Sequence, residues 1–308
     1  MHTIEAGNGR ISVQSSGSEA VLSELSSSYP LKLLSPESTE QNVCVVYTLT
    51  YGGGLVAGDR VRLLADVQGG SVLVMLTQPV LTQISIQGST KVFKTRQGQR
   101  SARPQTSGVG STTSQRLTVD IAPKSTLILL PDPVTCFRAA KYSQLQTFRL
   151  HADSNIVLLD WISSGRKSQG EDWSFSRYYS LNEVWVDDKR IARDALLLEE
   201  QKDDLQPLPH RTLADSLAPY SCYATVLMYG PLLERAMQDL SGQYQAISVF
   251  KHTKRPELIW SLTDIADGKG RVLRVSARQP EDVRRWLGCA LRHLESIVGK
   301  DTYRDVFG

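Results

Sequence analysis

Leu117-Thr118-Val119-Asp120-Ile121 alternates apolar and polar residues, which is the period-2 pattern of a β-strand with one buried and one solvated face. Four other runs are continuously apolar, as is typical of strands covered on both faces. These runs are residues 72–76, 127–130, 156–159 and 224–228. Two kinds of strand in one chain predict a mainly β fold, with layered sheets, a sandwich or a coiled β-architecture.

Two helices are predicted in the C-terminal third of the chain. The first begins at Pro231, and its apolar stripe stops before Gly242, a common helix terminator. The second begins at Pro280, where two acidic residues favour the first turn, and its stripe continues to Val298 before Gly299. An apolar stripe of this kind indicates packing onto a sheet rather than contact with a cofactor.

Size and charge are those of an ordinary globular protein. The 308 residues are 41% hydrophobic and 22% charged, enough to bury a sizeable core, and we expect a single domain over residues 1–308. The 35 Lys and Arg nearly balance the 32 Asp and Glu, for a net charge of +3. Because a nucleic-acid-binding protein usually masses its basic residues on one element, we expect no nucleic-acid partner.

Residues 96–115 depart from the rest of the chain. This segment consists mainly of Gly, Ser, Thr, Arg and Gln without an apolar period, so it cannot bury enough surface to order itself. We predict a disordered insertion loop on the surface. The alternative is a basic arm that contacts an acidic partner.

The sequence shows no sign of export or of a membrane anchor. The residues after Met1 lack the apolar run of a secretory peptide, and no stretch is apolar enough for a lipid-spanning helix. The four cysteines are far apart in sequence, which is typical of small buried residues in a reducing compartment. We therefore expect a cytoplasmic protein with no membrane partner.

Common catalytic and cofactor motifs are missing. The chain has no G-x-x-x-x-G-K-[ST] loop and no G-x-S-x-G elbow, which argues against a P-loop NTPase and an α/β-hydrolase. The five histidines are isolated from one another and from the cysteines, so no tight metal site is expected. Transient binding of a divalent ion by carboxylates and carbonyls needs no compact motif. On the residues alone, we expect no evident active site and no tightly bound cofactor.

Two acidic residues in glycine-rich turns are the remaining site candidates. Asp59 closes Gly52-Gly53-Gly54-Leu55-Val56-Ala57-Gly58-Asp59, and Glu171 closes Gly165-Arg166-Lys167-Ser168-Gln169-Gly170-Glu171. A carboxylate beside glycines can cap the backbone N–H groups of a turn, or it can line a wet channel and hold a passing cation. On residue chemistry alone, the cap is the simpler interpretation of both. Lys91 is first a strand-edge lysine and second a partner contact.

Five segments occur in order between residues 29 and 200. They are Tyr29-Pro30-Leu31-Lys32 with the Gly52–Asp59 turn, Gln87-Gly88-Ser89-Thr90-Lys91-Val92-Phe93, Leu130-Pro131-Asp132-Pro133-Val134-Thr135-Cys136-Phe137, Asp160-Trp161 with the Gly165–Glu171 turn, and Glu183-Val184-Trp185. Together they resemble the signatures of the urease accessory protein D family, called H in some bacteria. The matching positions are Gly52, Gly53, Gly54, Gly58, Gly88, Thr90, Lys91, Pro131, Gly165, Arg166 and Gly170.

Two features depart from the family pattern. The 96–115 insertion has no counterpart in compact bacterial members and suggests a eukaryotic, fungal-type protein. Asp132 occupies a position where members often carry Gln or a similar polar residue. Both departures concern partner contacts in their region rather than the family assignment.

The resemblance implies a chaperone-like scaffold rather than an enzyme, with a mainly β, β-helix-like fold of stacked and layered sheets and a pair of helices. Members of the family bind accessory protein F, which recruits the nickel-carrying GTPase, accessory protein G. The complex then docks on apo-urease, and the D component offers a passage for Ni²⁺. On this basis, Asp59 and Glu171 are expected to line or shape a nickel route that binds the ion only transiently.

Two alternatives come from other functional classes. A β-rich hydrolase or glycan-active enzyme would need paired carboxylates about 5–10 Å apart in a cleft. A stand-alone β-scaffold binding protein would be soluble and monodisperse without a partner, whereas an exposed apolar surface calls for one.

Overall fold

The computed structural model describes residues 4–38, 40–51, 54–77, 93–94, 112–199, 211–247 and 256–308. Its strands are β1 (Asn8–Ser16), β2 (Glu19–Ser27), β3 (Leu31–Leu34), β4 (Val43–Thr50), β5 (Leu55–Val56), β6 (Arg60–Val67), β7 (Val72–Thr77), β8 (Phe93–Lys94), β9 (Thr113–Ile121), β10 (Thr126–Leu130), β11 (Val134–Thr135), β12 (Lys141–Leu150), β13 (Asn155–Ser163), β14 (Arg177–Val186), β15 (Lys189–Glu199), β16 (Cys222–Tyr229), β17 (Leu258–Ile265) and β18 (Gly270–Ala277). The α-helices are α1 (Leu213–Leu217), α2 (Glu234–Gln245), α3 (Pro280–Ala290), α4 (Glu295–Val298) and α5 (Lys300–Phe307).

Most strands belong to two mixed sheets. Sheet A has the order β15-β14-β12-β9-β6-β1-β2, and sheet B has the order β17-β18-β16-β13-β10-β7-β4-β3, with β11 beside β13. The strands from β1 to β14 in sheet A and from β4 to β13 in sheet B are parallel, whereas the outer strands are antiparallel. The short strands β5 and β8 pair separately.

The chain coils between the two sheets. It passes from β6 in sheet A to β7 in sheet B, then from β9 to β10 and from β12 to β13. Each such pair forms one coil, and successive coils stack through parallel neighbours in both sheets. The predicted mainly β fold of layered sheets is therefore confirmed, and its coiled connectivity matches the β-helix-like arrangement.

Sheet B lies between sheet A and the helices, and this position explains its apolar strands. Along β13, Ile156 and Leu158 contact the core shared with sheet A, whereas Val157 and Leu159 contact the core shared with the helices. Every residue of β10 is likewise buried. Continuous apolar runs thus correspond to strands covered on both faces, as expected from the sequence.

Sheet A has one face on the core and one in solvent. On β9, Leu117, Val119 and Ile121 are buried, whereas Arg116 and Asp120 are exposed. The alternation in the sequence therefore reports the position of this sheet correctly. We refer below to the solvent side as the outer face of sheet A.

Both predicted helices are present, but their ends differ from the predictions. Gly242 lies inside α2 because Met237 and Leu240 pack against sheet B, and such packing outweighs the intrinsic cost of about 1 kcal/mol for a helical glycine. The second predicted helix breaks after Ala290 into a 3₁₀ turn at Arg292–Leu294 and then α4. Gly299 ends α4, as predicted, but α5 follows directly.

The two ends of the coil differ in the length of their connections. At one end, four-residue turns at 68–71, 122–125 and 151–154 lead from sheet A to sheet B. Each finishes on a fully buried serine, namely Ser71, Ser125 and Ser154. At the other end, longer loops at 51–59, 131–140 and 164–176 return the chain to sheet A. We call these the turn end and the loop end.

The predicted insertion 96–115 belongs to the connection between β7 and β9 at the loop end. Residues 96–111 lie outside the described part of the chain. The last three residues, 113–115, already belong to β9, so the prediction of a disordered segment extended too far. Strand pairing with β6 and β12 orders these residues, although their own composition gives no strand signal.

Candidate functional site

The described signature residues gather at the loop end of the coil. Gly54 and Gly58 precede β6, Pro131 follows β10, and Gly165 to Gly170 follow β13. The carboxyl ends of the parallel strands of sheet B all point to this end, so segments that are distant in sequence become neighbours in space. Gly52, Gly53, Gly88, Thr90 and Lys91, also singled out in the sequence, lie outside the described residues.

Glu171 forms an ion pair within its own loop. Both of its carboxylate oxygens accept hydrogen bonds from Arg166, at 2.8 Å from Nε and 2.5 Å from Nη2. The Arg166 guanidinium also lies over the ring of Phe137, 3.9 Å from its centroid. The carboxylate is only 9% exposed, and its pKa is held below the ordinary value mainly by the hydrogen bonds from Arg166.

Two glycines allow the chain to close this loop. Gly170 has φ of +69° at the end of a 3₁₀ turn, and Gly165 has φ of +127°. A Cβ atom at Gly165 would lie 2.8 Å from the carbonyl oxygen of Glu171. Any other residue would therefore be strained there. The glycines let Arg166 and Glu171 meet as a bidentate pair, so this turn is a rigid structural unit.

Asp59 caps the turn that leads into β6. Its Oδ2 accepts a hydrogen bond of 2.8 Å from the backbone N–H of Val56, and its own N–H donates to the Val56 carbonyl at 3.0 Å. The side chain of Thr113 donates to the same carbonyl at 2.9 Å. The geometry is that of the turn cap, which was the simpler interpretation of this residue.

Asp132 joins the loop end to the helical layer. It is buried, and its carboxylate accepts hydrogen bonds from Arg284 of α3 at 2.6 Å and from Thr77 at 3.1 Å. The preceding residue, Pro131, accepts a hydrogen bond of 2.7 Å from the indole of Trp161. An aspartate here supplies the charge that Arg284 needs, whereas a neutral glutamine could not.

A stripe of polar side chains runs through the core between the sheets. It consists of inward-facing residues of two neighbouring strands, which are Tyr142, Gln144 and Gln146 on β12 and Tyr178, Ser180 and Asn182 on β14. All six side chains are buried. We call this set the polar stripe; it begins at the loop end, where both strands start.

Asp160 of sheet B faces the polar stripe. Its carboxylate accepts hydrogen bonds from Ser180 and Asn182 at 2.6 Å each and from Gln144 at 3.2 Å. Burial raises the pKa of Asp160, and the hydrogen bonds from Ser180 and Asn182 oppose that rise. A carboxylate has thus been placed in an interior where three neutral donors support its charged form.

Two acceptors of the polar stripe have no hydrogen-bond partner among the residues that the structure describes. They are Oε1 of Gln146 and Oδ1 of Asn182, which lie side by side in the register of β12 and β14. The stripe also opens sideways, because Asp160 and Tyr178 line a cleft of about 410 Å³ at the edge of the two sheets. The cleft therefore reaches the half-buried carboxylate of Asp160 from the side.

Comparison with known proteins identifies the family. A family model described as UreD urease accessory protein matches residues 5–305. The chain belongs to this family. Urease accessory protein 4 of Cryptococcus neoformans var. grubii is 39% identical over 298 residues, covering 92% of this chain and 88% of its own length. Urease accessory protein D of Arabidopsis thaliana is 32% identical over 319 residues, covering 96% and 99%.

A bacterial relative is also similar to the chain. Urease accessory protein UreD of Sorangium cellulosum is 29% identical over 299 residues, covering 97% of this chain and 84% of its own length. The family predicted from the sequence signatures is confirmed, and the relatives include the fungal protein above. Membership of the UreD family supports a role in urease maturation.

The structure does not bring the two predicted UreD site residues together. Asp59 immediately precedes β6 and Glu171 lies ahead of β14, with β9 and β12 between those strands in sheet A. Three inter-strand spacings correspond to roughly 14 Å. Asp59 and Glu171 thus belong to separate turns of the loop end, and each carboxylate is engaged by donors of its own turn.

Reasoning from the sequence missed the polar stripe. Gln144 and Gln146, like Ser180 and Asn182, are spaced two apart, which places them on one face of a strand. That spacing is the available signal, but it does not reveal whether the polar face points inward. Here it does, because the opposite faces of β12 and β14 form part of the outer face of sheet A.

Two further properties concern the described residues as a whole. No three His, Cys, Asp or Glu side chains in this part of the chain are grouped so as to hold a metal ion. No helix within it combines the length and apolarity that a membrane span requires.

Proposed function

We propose that this protein is a non-enzymatic, cytoplasmic scaffold that acts with accessory protein F and the GTPase accessory protein G to deliver nickel to apo-urease. We further propose that Ni²⁺ passes through the interior between sheets A and B, along the polar stripe. Family membership supports the maturation role. The unpartnered oxygens beside Asp160 are the observation that supports the route.

The argument for the route rests on energetic cost. Leaving a buried acceptor without a hydrogen bond costs about 1–3 kcal/mol, and Gln146 and Asn182 each carry one such oxygen. A chain that needed only a stable core could place apolar side chains at these positions. A hydrated cation in transit would instead donate water hydrogen bonds to both oxygens, and the carboxylate of Asp160 would attract it.

The same arrangement favours transit over storage. An ion that is held too tightly cannot leave, so a route requires weak sites placed in series. One carboxylate surrounded by neutral oxygens is such a weak site. Asp59 and Glu171 would shape this route by fixing the turns at the loop end, since their own oxygens are occupied by neighbouring donors.

The test replaces an unpartnered oxygen with an apolar group of similar size and keeps the donor of Asn182 to Asp160 in place. Gln146→Met should leave the protein folded and bound to accessory protein F, but should reduce the nickel content and activity of co-expressed urease at least tenfold. A matched control makes the same change at an exposed glutamine of α2, Gln243→Met, and should load urease like the wild type. Metal analysis of purified urease gives the readout.

The outcomes of this test separate the route from the role. Full nickel loading by the folded Gln146→Met variant would reject the interior route and leave the maturation role untouched. The maturation role itself would be contradicted by a wild-type chain that is soluble and monodisperse alone and does not bind accessory protein F. Co-expression followed by size-exclusion chromatography tests this. That behaviour would favour the stand-alone binding protein.

A hydrolase remains the alternative from the enzyme class. Asp160 and Asp194 line the same cleft, as paired carboxylates of a glycan-active enzyme would. Both are engaged internally, however, because Asp160 accepts three hydrogen bonds and Asp194 binds Arg274 at 2.7 Å. Neither carboxylate is presented to a substrate, and this favours the scaffold.

A further inference from the structure

The outer face of sheet A is divided by its charges. Towards the turn end, basic side chains are paired with acids on the same face. These pairs are Arg10 with Asp66 at 3.2 Å, Arg149 with Asp120 at 3.2 Å, and Arg190 with Glu183 at 3.0 Å. In this half of the face, these basic side chains are therefore neutralised by acids of the same sheet.

Towards the loop end, Arg177 at the start of β14 pairs with Glu199 at 3.1 Å, but three other arginines of the same face have no paired acid in the part of the chain that the structure describes. Arg60, Arg62 and Arg116 are exposed, and no carboxylate of the described residues lies within ion-pair distance of them. Arg62 and Arg116 are direct neighbours in the register of β6 and β9. Like charges placed side by side on a sheet are destabilising. An acidic partner would therefore relieve the electrostatic repulsion between Arg62 and Arg116.

The sequence adds to this positive charge. Residues 78–111, which connect β7 to β9, contain no Asp or Glu but five Lys and Arg residues. The connection that leads into Arg116 therefore has no acid of its own with which to neutralise the arginines.

Apolar side chains continue the basic row across the sheet. Leu145 and Leu181 follow Arg116 in register on β12 and β14. Leu197 of the edge strand β15, one row nearer the loop end, is 48% exposed. Leucines flanked by arginines on an open sheet face have the composition of a protein-binding surface, in which an apolar centre meets charged surroundings.

We propose that this surface, which we call the outer patch (Arg60, Arg62, Arg116, Leu145, Leu181 and Leu197), docks on an acidic region of apo-urease. The inference rests on the proposed maturation role, and urease is the one partner that the names of the relatives print. Carboxylates of urease pair with the arginines, and apolar side chains cover the leucines. A nucleic acid fits less well, since half of the outer patch is aliphatic and offers bases no stacking surface.

The test measures binding of the purified full-length chain to immobilised apo-urease at several salt concentrations. The triple variant Arg60→Glu/Arg62→Glu/Arg116→Glu should associate at least about tenfold more slowly at low salt, because electrostatic steering is reversed. Its association should also lose the steep salt dependence of the wild type. The matched control, Arg285→Glu/Lys300→Glu/Arg304→Glu on α3 and α5, changes net charge equally and should bind within about twofold of the wild type.

A second variant tests the apolar half without changing charge. Leu197→Ser should raise the dissociation rate several-fold, whereas Leu232→Ser, at a comparably exposed leucine (49%) of the helical layer, should not. Circular dichroism and size-exclusion chromatography confirm that each variant is folded.

Each outcome has a distinct meaning. If the wild type binds apo-urease and the triple variant binds equally well, the outer patch is rejected and the maturation role survives. If the wild type itself does not bind apo-urease, both the proposed function and the docking role of the outer patch are rejected. Loss of binding to accessory protein F, to a duplex oligonucleotide or to anionic vesicles, with urease binding intact, would overturn urease as the occupant.

Discussion

The core between sheet B and the helices differs from the core between the two sheets, although the same strands line both. Along β13, the residues facing the helices are Val157, Leu159 and Trp161. The residues facing sheet A include Asp160 among apolar neighbours, and the polar stripe lies opposite. One core is an apolar contact that holds the layers together, whereas the other contains polar groups that cost stability. The two cores therefore differ in polarity although they share the strands of sheet B.

The largest expected effect lies in the core beneath the helices. Leu287 of α3 is fully buried there, and Leu287→Ala should lower the free energy of unfolding by about 2–5 kcal/mol because it leaves a cavity. Leu64→Ala on the outer face of sheet A, where the leucine is 42% exposed, should change it by less than about 0.5 kcal/mol. Urea unfolding of both variants measures the contrast, and equal effects would contradict the assignment of the core.

A polar group introduced beneath the helices should be costly. Met237 of α2 is 4% exposed and packs in this core. Met237→Gln should cost about 1–3 kcal/mol, because the amide would be buried among apolar side chains. Met237→Leu is the control and should be tolerated. If Met237→Gln left the free energy of unfolding unchanged, the two cores would not differ in how well they accommodate a polar side chain.

The contributions of Glu171 at the loop end and of Asp160 in the inner core to the free energy of unfolding should depend on pH in opposite directions. Arg166 lowers the pKa of Glu171, so the contribution of Glu171 to stability is present above its unfolded pKa of about 4.3 and is lost as the pH falls through the folded pKa. Glu171→Gln should cost about 1–2 kcal/mol at pH 7, a value discounted because Arg166 is 29% exposed, and progressively less as the pH falls below the unfolded pKa.

Asp160 supplies the opposite case. Burial raises its pKa, so the stability associated with its protonated form is present below the unfolded pKa and is lost as the pH rises through the folded pKa. Asp160→Asn should therefore gain on the wild type as the pH rises from about 4 to 7. Unfolding curves of both variants across this range provide the measurement, and parallel pH profiles would contradict the assigned environments.

The smallest expected effect is at the unpartnered oxygen of the polar stripe. Gln146→Met should change the free energy of unfolding by less than about 1 kcal/mol or raise it, because an apolar group replaces a buried acceptor that has no donor. Gln144→Met should cost more stability than Gln146→Met, since Gln144 accepts a hydrogen bond from Tyr142 and donates one to Asp160. A large loss at Gln146 would mean that its oxygen has a structural partner.

The fold contains a structural repeat, the stacked turns at the turn end, that is not visible in the sequence. No repeat of fixed period is evident in the residues, yet the turns that end at Ser71, Ser125 and Ser154 stack on one another. The carbonyl of Ser71 accepts from Thr126, and that of Ser125 accepts from Asn155, at 2.9 and 3.0 Å. The connection between β7 and β9 lengthens one coil and so breaks the period, while backbone hydrogen bonds preserve the stacking.

The sequence by itself determined the mainly β class, the two kinds of strand, the two main helices and the family. These properties depend on local periodicity and on short motifs, both of which can be read without knowing which elements touch. Residue chemistry also indicated the turn cap at Asp59. The same interpretation was wrong for Glu171, because its carboxylate pairs with the side chain of Arg166 rather than with the backbone of its own turn.

Only the tertiary structure decided where the polar faces point. A strand such as β12 has polar residues on both faces, and its sequence is the same whether Gln144 and Gln146 point to solvent or to the core. Their burial follows from how sheet B and Asp160 cover them, and these contacts lie far apart in sequence. The same reason applies to the outer patch, whose arginines and leucines come from strands that become neighbours only when the coils stack.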